Sequence, residues 1–186
     1  MFFFRNRRST RQAAREYATR SDFEKIFSED MAGLHLLAYL LTADRERAEE
    51  IFVAGLEDAM NGNPVFRQWA RSWSQRAIIK RAIKAVAPSR NDPMVALSLD
   101  PQTGRPELDQ LMSAVARLTT FERFVFVLTV LEAYSVTECA TLLACMAGDV
   151  IAARAEALKQ VAAQFDASLQ LAVPAWKSLF RAARAS

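Results

Sequence analysis

Two tryptophans and a run of cations share one stretch of this chain. Trp69, Trp73, Arg76, Lys80 and Lys84 recur every three or four residues, with Arg81 beside them. At about 100° per residue the five fall on one face of a helix, and Ile78, Ile79, Ala82, Ile83 and Val86 fall on another. Indoles beside cations suit the stacking of unpaired bases, with phosphates attracted to the positive charge. The plainer alternative packs both tryptophans against the first helix and leaves the cations solvated.

Other reactive residue types are sparse. Glu49 and Glu50 are successive in a helical stretch, so their carboxylates diverge by about 100° and suit a solvated or partner-facing pair better than acid–base work. There is no Gly-rich phosphate loop, no nucleophile–base motif, and His35 is the single histidine. Nothing here points to catalysis, to a cofactor or to a metal. Cys139 and Cys145 lie six residues apart, far from His35, which is not a zinc arrangement. They read as small core residues kept as thiols in a reducing compartment.

The bulk properties fit an ordinary helix-rich protein. With 186 residues the chain can build one domain or two small ones. Its five glycines and its wealth of alanine, leucine, arginine and glutamate favour an all-α fold. No internal repeat is visible. No apolar run reaches the ~18 residues of a membrane span. Met1-Phe2-Phe3-Phe4 precedes the basic residues, the reverse of a secretory signal, so a cytoplasmic location is expected. The net charge of +3 does not by itself demand nucleic acid. Arg5, Arg7, Arg8, Arg11, Arg15 and Arg20 make residues 1–20 a basic arm, which as a bland reading is a solvated tail.

Periodicity then places the elements. A helix is expected over 21–41, with Phe23, Ile26, Phe27, Leu34, Leu37, Ala38 and Leu41 inward and His35 as a packing residue. Asp44 suits the N-cap of a second helix, over 45–60, whose inward residues are Ala48, Ile51, Phe52, Leu56 and Ala59. Asn61-Gly62-Asn63-Pro64 is a turn, and a third helix follows over 66–86. Pro88, Pro93, Pro101, Gly104 and Pro106 mark a linker over 88–106. Beyond it a short helix is expected over 107–118, then a largely apolar one over 119–132. Thr119 with Glu122, and Ser135 with Glu138, both have capping-box form. The second box opens a helix to about 143, a turn follows at 144–148, and a last helix runs over 149–165. Two helices joined by so short a turn form the unit that many DNA readers use.

At this point the chain resembles extracytoplasmic-function sigma factors. The residues are Ala116-Arg117-Leu118-Thr119-Thr120-Phe121-Glu122-Arg123, then Ser135-Val136-Thr137-Glu138-Cys139-Ala140-Thr141-Leu142-Leu143, then Gly148-Asp149-Val150. Asp44-Arg45-Glu46-Arg47-Ala48-Glu49-Glu50-Ile51 looks like that family's core-polymerase-binding motif. Phe66, Trp69 and Trp73 resemble the aromatic positions of its promoter-melting helix. The resemblance spans about residues 23–165. It implies two small helical domains, 21–87 and 107–166, the second a helix-turn-helix domain. A basic amphipathic tail over 167–186 (Trp176, Lys177, Leu179, Phe180, Arg181, Arg184) could cap the domain, bind a partner or touch a membrane surface. RNA polymerase core is the implied partner of Asp44, Glu49 and Glu50. Promoter DNA is the implied partner of Trp69, Trp73, Arg76, Lys80, Arg81 and Lys84.

The polar surface departs from the family pattern. Val53 stands where the family has Gln, and Arg76 and Lys80 stand where it has Asn and Asp. On the last helix the reading positions are Asp149, Ile151, Ala153, Ala155 and Glu156, beside Ala152. Alanine and isoleucine offer base edges no hydrogen bonds. A carboxylate at the helix start occupies the site that a phosphate would use. Asp149, Arg154, Glu156 and Lys159 sum to zero charge, against the usual electrostatics of DNA binding. Two functions are therefore expected as alternatives. One is a sigma-factor-like initiation protein with weakened reading by its helix-turn-helix. The other is a sigma-derived module whose helix-turn-helix face binds a protein such as an anti-sigma factor or polymerase subunit, through a helix-in-groove contact.

Overall fold

Helix starts in this chain are written by short polar residues, and the computed structural model places them where hydroxyls and carboxylates can cap. It describes residues 16–90 and 106–164, with Ser178. The basic arm up to residue 15, most of the linker, Phe165 and nearly all of the tail lie outside the described residues. Within them the chain is all-helical, apart from one isolated antiparallel bridge between Tyr17 and Phe66.

Helix α1 is Arg20–Glu29, opened by a capping box in which Asp22 N–H donates to Thr19 Oγ1 (3.2 Å) and Thr19 N–H donates to Asp22 Oδ2 (2.8 Å). The continuous helix expected over 21–41 is in fact two. Asp30, at φ −112° and ψ 29°, ends α1, and α2 runs Met31–Thr42. The buried Asp30 carboxylate receives Arg71 Nη1 at 3.3 Å from a distant part of the chain, a demand that helical periodicity does not encode. Helix α2 is nearly all apolar, with Leu34, Leu37, Ala38, Leu40 and Leu41 buried, and it stops at Ala43 in the left-handed region (φ 53°).

Asp44 caps α3 (Arg45–Asn61) as expected, its Oδ1 accepting from Arg47 N–H at 3.0 Å. The element expected over 66–86 begins as a 3₁₀ turn, Arg67–Trp69, before α4 (Ala70–Val86). Helices α3 and α4 pack closely enough that a Cβ on Gly55 would lie 2.5 Å from Ile78 Cδ1. Any larger residue at this position would have to displace the Ile78 side chain.

In the second half α5 spans Pro106–Ala116 and α6 spans Thr120–Phe126 behind the expected Thr119–Glu122 box. The helix expected over 119–132 changes pitch: Val127–Leu131 is a π turn, with Glu132 N–H donating to Val127 O at 2.9 Å. Every residue from Phe124 to Leu131 is buried, and the Thr129 hydroxyl donates to Val125 O at 2.7 Å. Ala133, at φ 61°, turns the chain out of this core. Helix α7 (Val136–Leu143) starts at the Ser135–Glu138 box, and α8 (Ala147–Ala163) follows after Ala144, which is left-handed at φ 51°. The chain bends by 106° between α7 and α8.

Buried apolar residues of both halves belong to one cluster. At the junction Arg123, 3 % exposed, donates from Nε to Leu41 O at 3.3 Å. It thereby satisfies a carbonyl of the last turn of α2, where a cation also complements the helix dipole. Among the described residues no single helix is long and apolar enough to cross a membrane.

Candidate functional site

Helix α4 turns one face inward and one outward, as its periodicity requires. Ala70, Ser74, Ala77, Ile78, Ile79 and Ala82 are buried, while Arg76, Lys80 and Lys84 are exposed. Trp69 is 55 % exposed, an unusual state for an indole without a partner surface. Trp73 is half-buried, and Lys80 Nζ stands 5.8 Å from its ring centroid, within cation–π range. Phe66 braces Trp69 edge-on at 5.2 Å and stacks on Tyr17 at 4.8 Å. An aromatic row therefore runs along this edge of the molecule. Arg81 does not join the outward face. It forms an ion pair with Asp58 of α3, a fork contact between guanidinium and carboxylate that ties the two helices together.

The indoles border a cleft of about 440 Å³. One wall is α4 with the 3₁₀ turn before it, through Trp69, Trp73, Gln75 and Arg76. The other is the segment after the π turn and the first turn of α7, through Glu132, Tyr134 and Glu138. Burial raises the Tyr134 phenol, helped by the Glu132 charge and opposed by Arg76. The hydroxyl is thus kept protonated well into the alkaline range. Hydrogen bonds from Ser135 hold the Glu138 carboxyl below its ordinary value, and Arg76 adds to that effect. The cleft combines flat aromatic surface, one guanidinium and two carboxylates. Sequence reasoning found the α4 wall and missed the other. Tyr134 and Glu132 carry no periodic or motif signal, and Glu138 was legible only as a cap.

The acidic residues of α3 form a separate surface. Asp44 is committed to its cap and lies 3.8 Å from Arg47 Nε; Glu49 pairs with Arg45 Nε at 3.4 Å; Glu50 is exposed. Glu46, Glu49, Glu50, Val53 and Glu57 all point to solvent at helical spacing, and Val53 is 56 % exposed. This is an acidic face with an apolar centre, formed by the Val53 that departs from the family pattern.

At the start of α8 the Asp149 carboxylate is engaged twice. It accepts from Met146 N–H at 3.3 Å and pairs with Arg90 Nη1 at 2.5 Å, leaving its side chain 13 % exposed. The anion position at this helix N-terminus is filled by the protein itself. Ile151 is 59 % exposed and Met146 71 %; Ala152 is exposed, and Ala153 and Glu156 are half-buried. Glu156 meets Gln160 Nε2 at 3.2 Å and Lys159 Nζ at 3.7 Å. Arg90 is a further residue that sequence reasoning missed.

Cys139 is fully buried and its thiol is pushed up to about 12 by desolvation; Cys145 is half-buried and also raised. Both are poor nucleophiles. Among the described residues no group of three or more His, Cys, Asp or Glu is placed to hold a metal ion. No protein-family model matches the chain, and no curated protein matches it.

Proposed function

We propose that this chain is a sigma-factor-like transcription initiation protein that binds RNA polymerase core through α3 and promoter DNA through α4. The observation that carries the reading is the separation of two outward surfaces on packed helices. The acidic face of Glu46, Glu49, Glu50 and Glu57 lies on α3, and the aromatic–basic stripe of Trp69, Trp73, Arg76, Lys80 and Lys84 lies on α4 and the 3₁₀ turn that opens it. Stacking surface beside cations is what an unpaired promoter strand requires. Arg81, held by Asp58, positions α4 in this reading instead of touching DNA. The two halves on either side of residues 88–106 are read as the two domains of the family. Helices α7 and α8, bent by 106° about a short turn, are read as its helix-turn-helix.

A second reading is favoured by the locked start of α8. With Asp149 occupied by Arg90 and Met146 and Ile151 bare, that face suits a protein partner such as an anti-sigma factor better than phosphate. Co-elution of the purified chain with RNA polymerase core tests the first reading, with Glu49→Lys/Glu50→Lys as control. Co-elution abolished by the double variant supports it, and the absence of co-elution sinks it. Binding to duplex promoter DNA that falls steeply with salt would count against the second reading.

A further inference from the structure

The cleft between α4 and the α6–α7 connection offers more than a DNA-facing stripe, because its second wall is acidic. We infer that it binds a guanine base bearing a phosphate, held between the two halves of the chain by Trp69, Arg76 and Glu138. Three observations converge on that chemistry. Trp69 presents more than half of its surface beside the cleft, a bare platform for a heterocycle. Arg76 lines the cleft as an exposed residue whose charge reaches Glu138 and Tyr134 without a close ion pair to either, so its planar fork can turn to a phosphate. Glu138 uses only Oε2 in its capping box with Ser135, which leaves Oε1 to accept.

Guanine is the base whose pairing edge carries adjacent N1–H and N2–H donors, and a carboxylate is their natural acceptor. Adenine sets an acceptor at N1 against the same group, which a carboxylate repels. The volume of about 440 Å³ falls in the range of small-molecule sites. Its walls come from residues on both sides of the linker, so a bound nucleotide would favour the arrangement in which the halves are docked. The inference does not rest on polymerase binding, which is proposed for the acidic residues of α3, none of which lines the cleft. A chain that fails to co-elute with polymerase is still able to bind a nucleotide here.

The same chemistry is available from a free mononucleotide or from guanine in a single strand, and calorimetric titration of the full chain separates them. GMP, AMP and guanosine are compared with a thymidine oligonucleotide carrying one central dG and with the all-thymidine strand. GMP should bind saturably and at least about fivefold more tightly than AMP or guanosine. Glu138→Gln retains the capping box, because Gln serves at that position, and far-UV circular dichroism checks the fold. It should erase the preference for GMP over AMP, while Arg76→Gln should erase that for GMP over guanosine. Binding of the dG strand without binding of GMP would keep the guanine assignment and name the strand as its source. Binding of neither would overturn the inference, and so would equal binding of GMP and AMP unchanged in Glu138→Gln.

Discussion

Replacing Arg123 with Met probes how the two halves hold together. The side chain is 3 % exposed, and its Nε donates to Leu41 O across 82 residues of sequence. Methionine keeps an unbranched stem of similar reach, so the loss is mainly that of a charged donor. A hydrogen bond from a charged group contributes about 1.5–3 kcal/mol, and a cation at a helix C-terminus adds about 0.3–1 kcal/mol. Against this, an apolar residue escapes the desolvation cost of burying a guanidinium, which offsets part of the loss. The Leu41 carbonyl, in a fully buried residue, is left without this donor. The net expectation is a destabilisation of about 1–3 kcal/mol, or a fall in Tm of roughly 2–12 °C for a chain of this size. Equilibrium urea unfolding, followed by circular dichroism, measures it from the shift in midpoint at constant m. A variant as stable as the parent, or more stable, would refute the assignment of Arg123 as a structural bridge.

Three further outcomes follow from the same structure. Gly55→Ala should destabilise by about 0.5–2 kcal/mol in thermal unfolding, because a Cβ 2.5 Å from Ile78 Cδ1 overpacks the α3–α4 contact by about 1–3 kcal/mol while alanine regains about 1 kcal/mol of helix propensity; a neutral or stabilising effect would mean that Ile78 changes rotamer freely. Asp149→Asn removes the carboxylate that pairs with Arg90 and frees positive potential at the start of α8, so duplex DNA affinity at low salt should rise by at least about threefold in filter binding; unchanged affinity would argue that α8 faces no phosphate. The Glu138 and Asp22 carboxyls are both held below their ordinary values of 4.5 and 3.8 by capping hydrogen bonds. Each therefore adds stability that is present above those values and is lost as pH falls through the lowered folded values. Ser135→Ala removes the hydroxyl bond to Glu138 and leaves the one from the Ser135 backbone N–H, so the acid limb of stability against pH should flatten in part relative to the parent, and an unchanged limb would discount the hydroxyl's share of the cap.

Much of the local architecture is decided by residues that act within one helical turn. Thr119 with Glu122, Ser135 with Glu138, and Asp44 all cap where their residue types say they should, because a capping bond spans three residues and needs no distant partner. The inward faces of α2, α3 and α4 are equally legible, since burial of an apolar stripe follows the 3.6-residue period. The outward stripe of Trp69, Trp73, Arg76 and Lys80 comes from that same period. What the linear pattern could not contain are contacts between distant carboxylates, carbonyls and guanidiniums. Asp30 interrupts the first long helix where Arg71 meets it from 41 residues away, and Arg81 leaves the basic stripe for Asp58, 23 residues earlier. Arg123 finds a carbonyl in the other half of the chain, and the cleft gains Glu132, Tyr134 and Glu138 because that docking brings the end of the π turn to α4. Capping and periodicity are short-range and repeat along a helix, so sequence alone determined where the helices start and which faces they bury. The pairing of isolated charges has neither property, so only the tertiary structure decided which cations face solvent, where the long helix breaks and what lines the cleft.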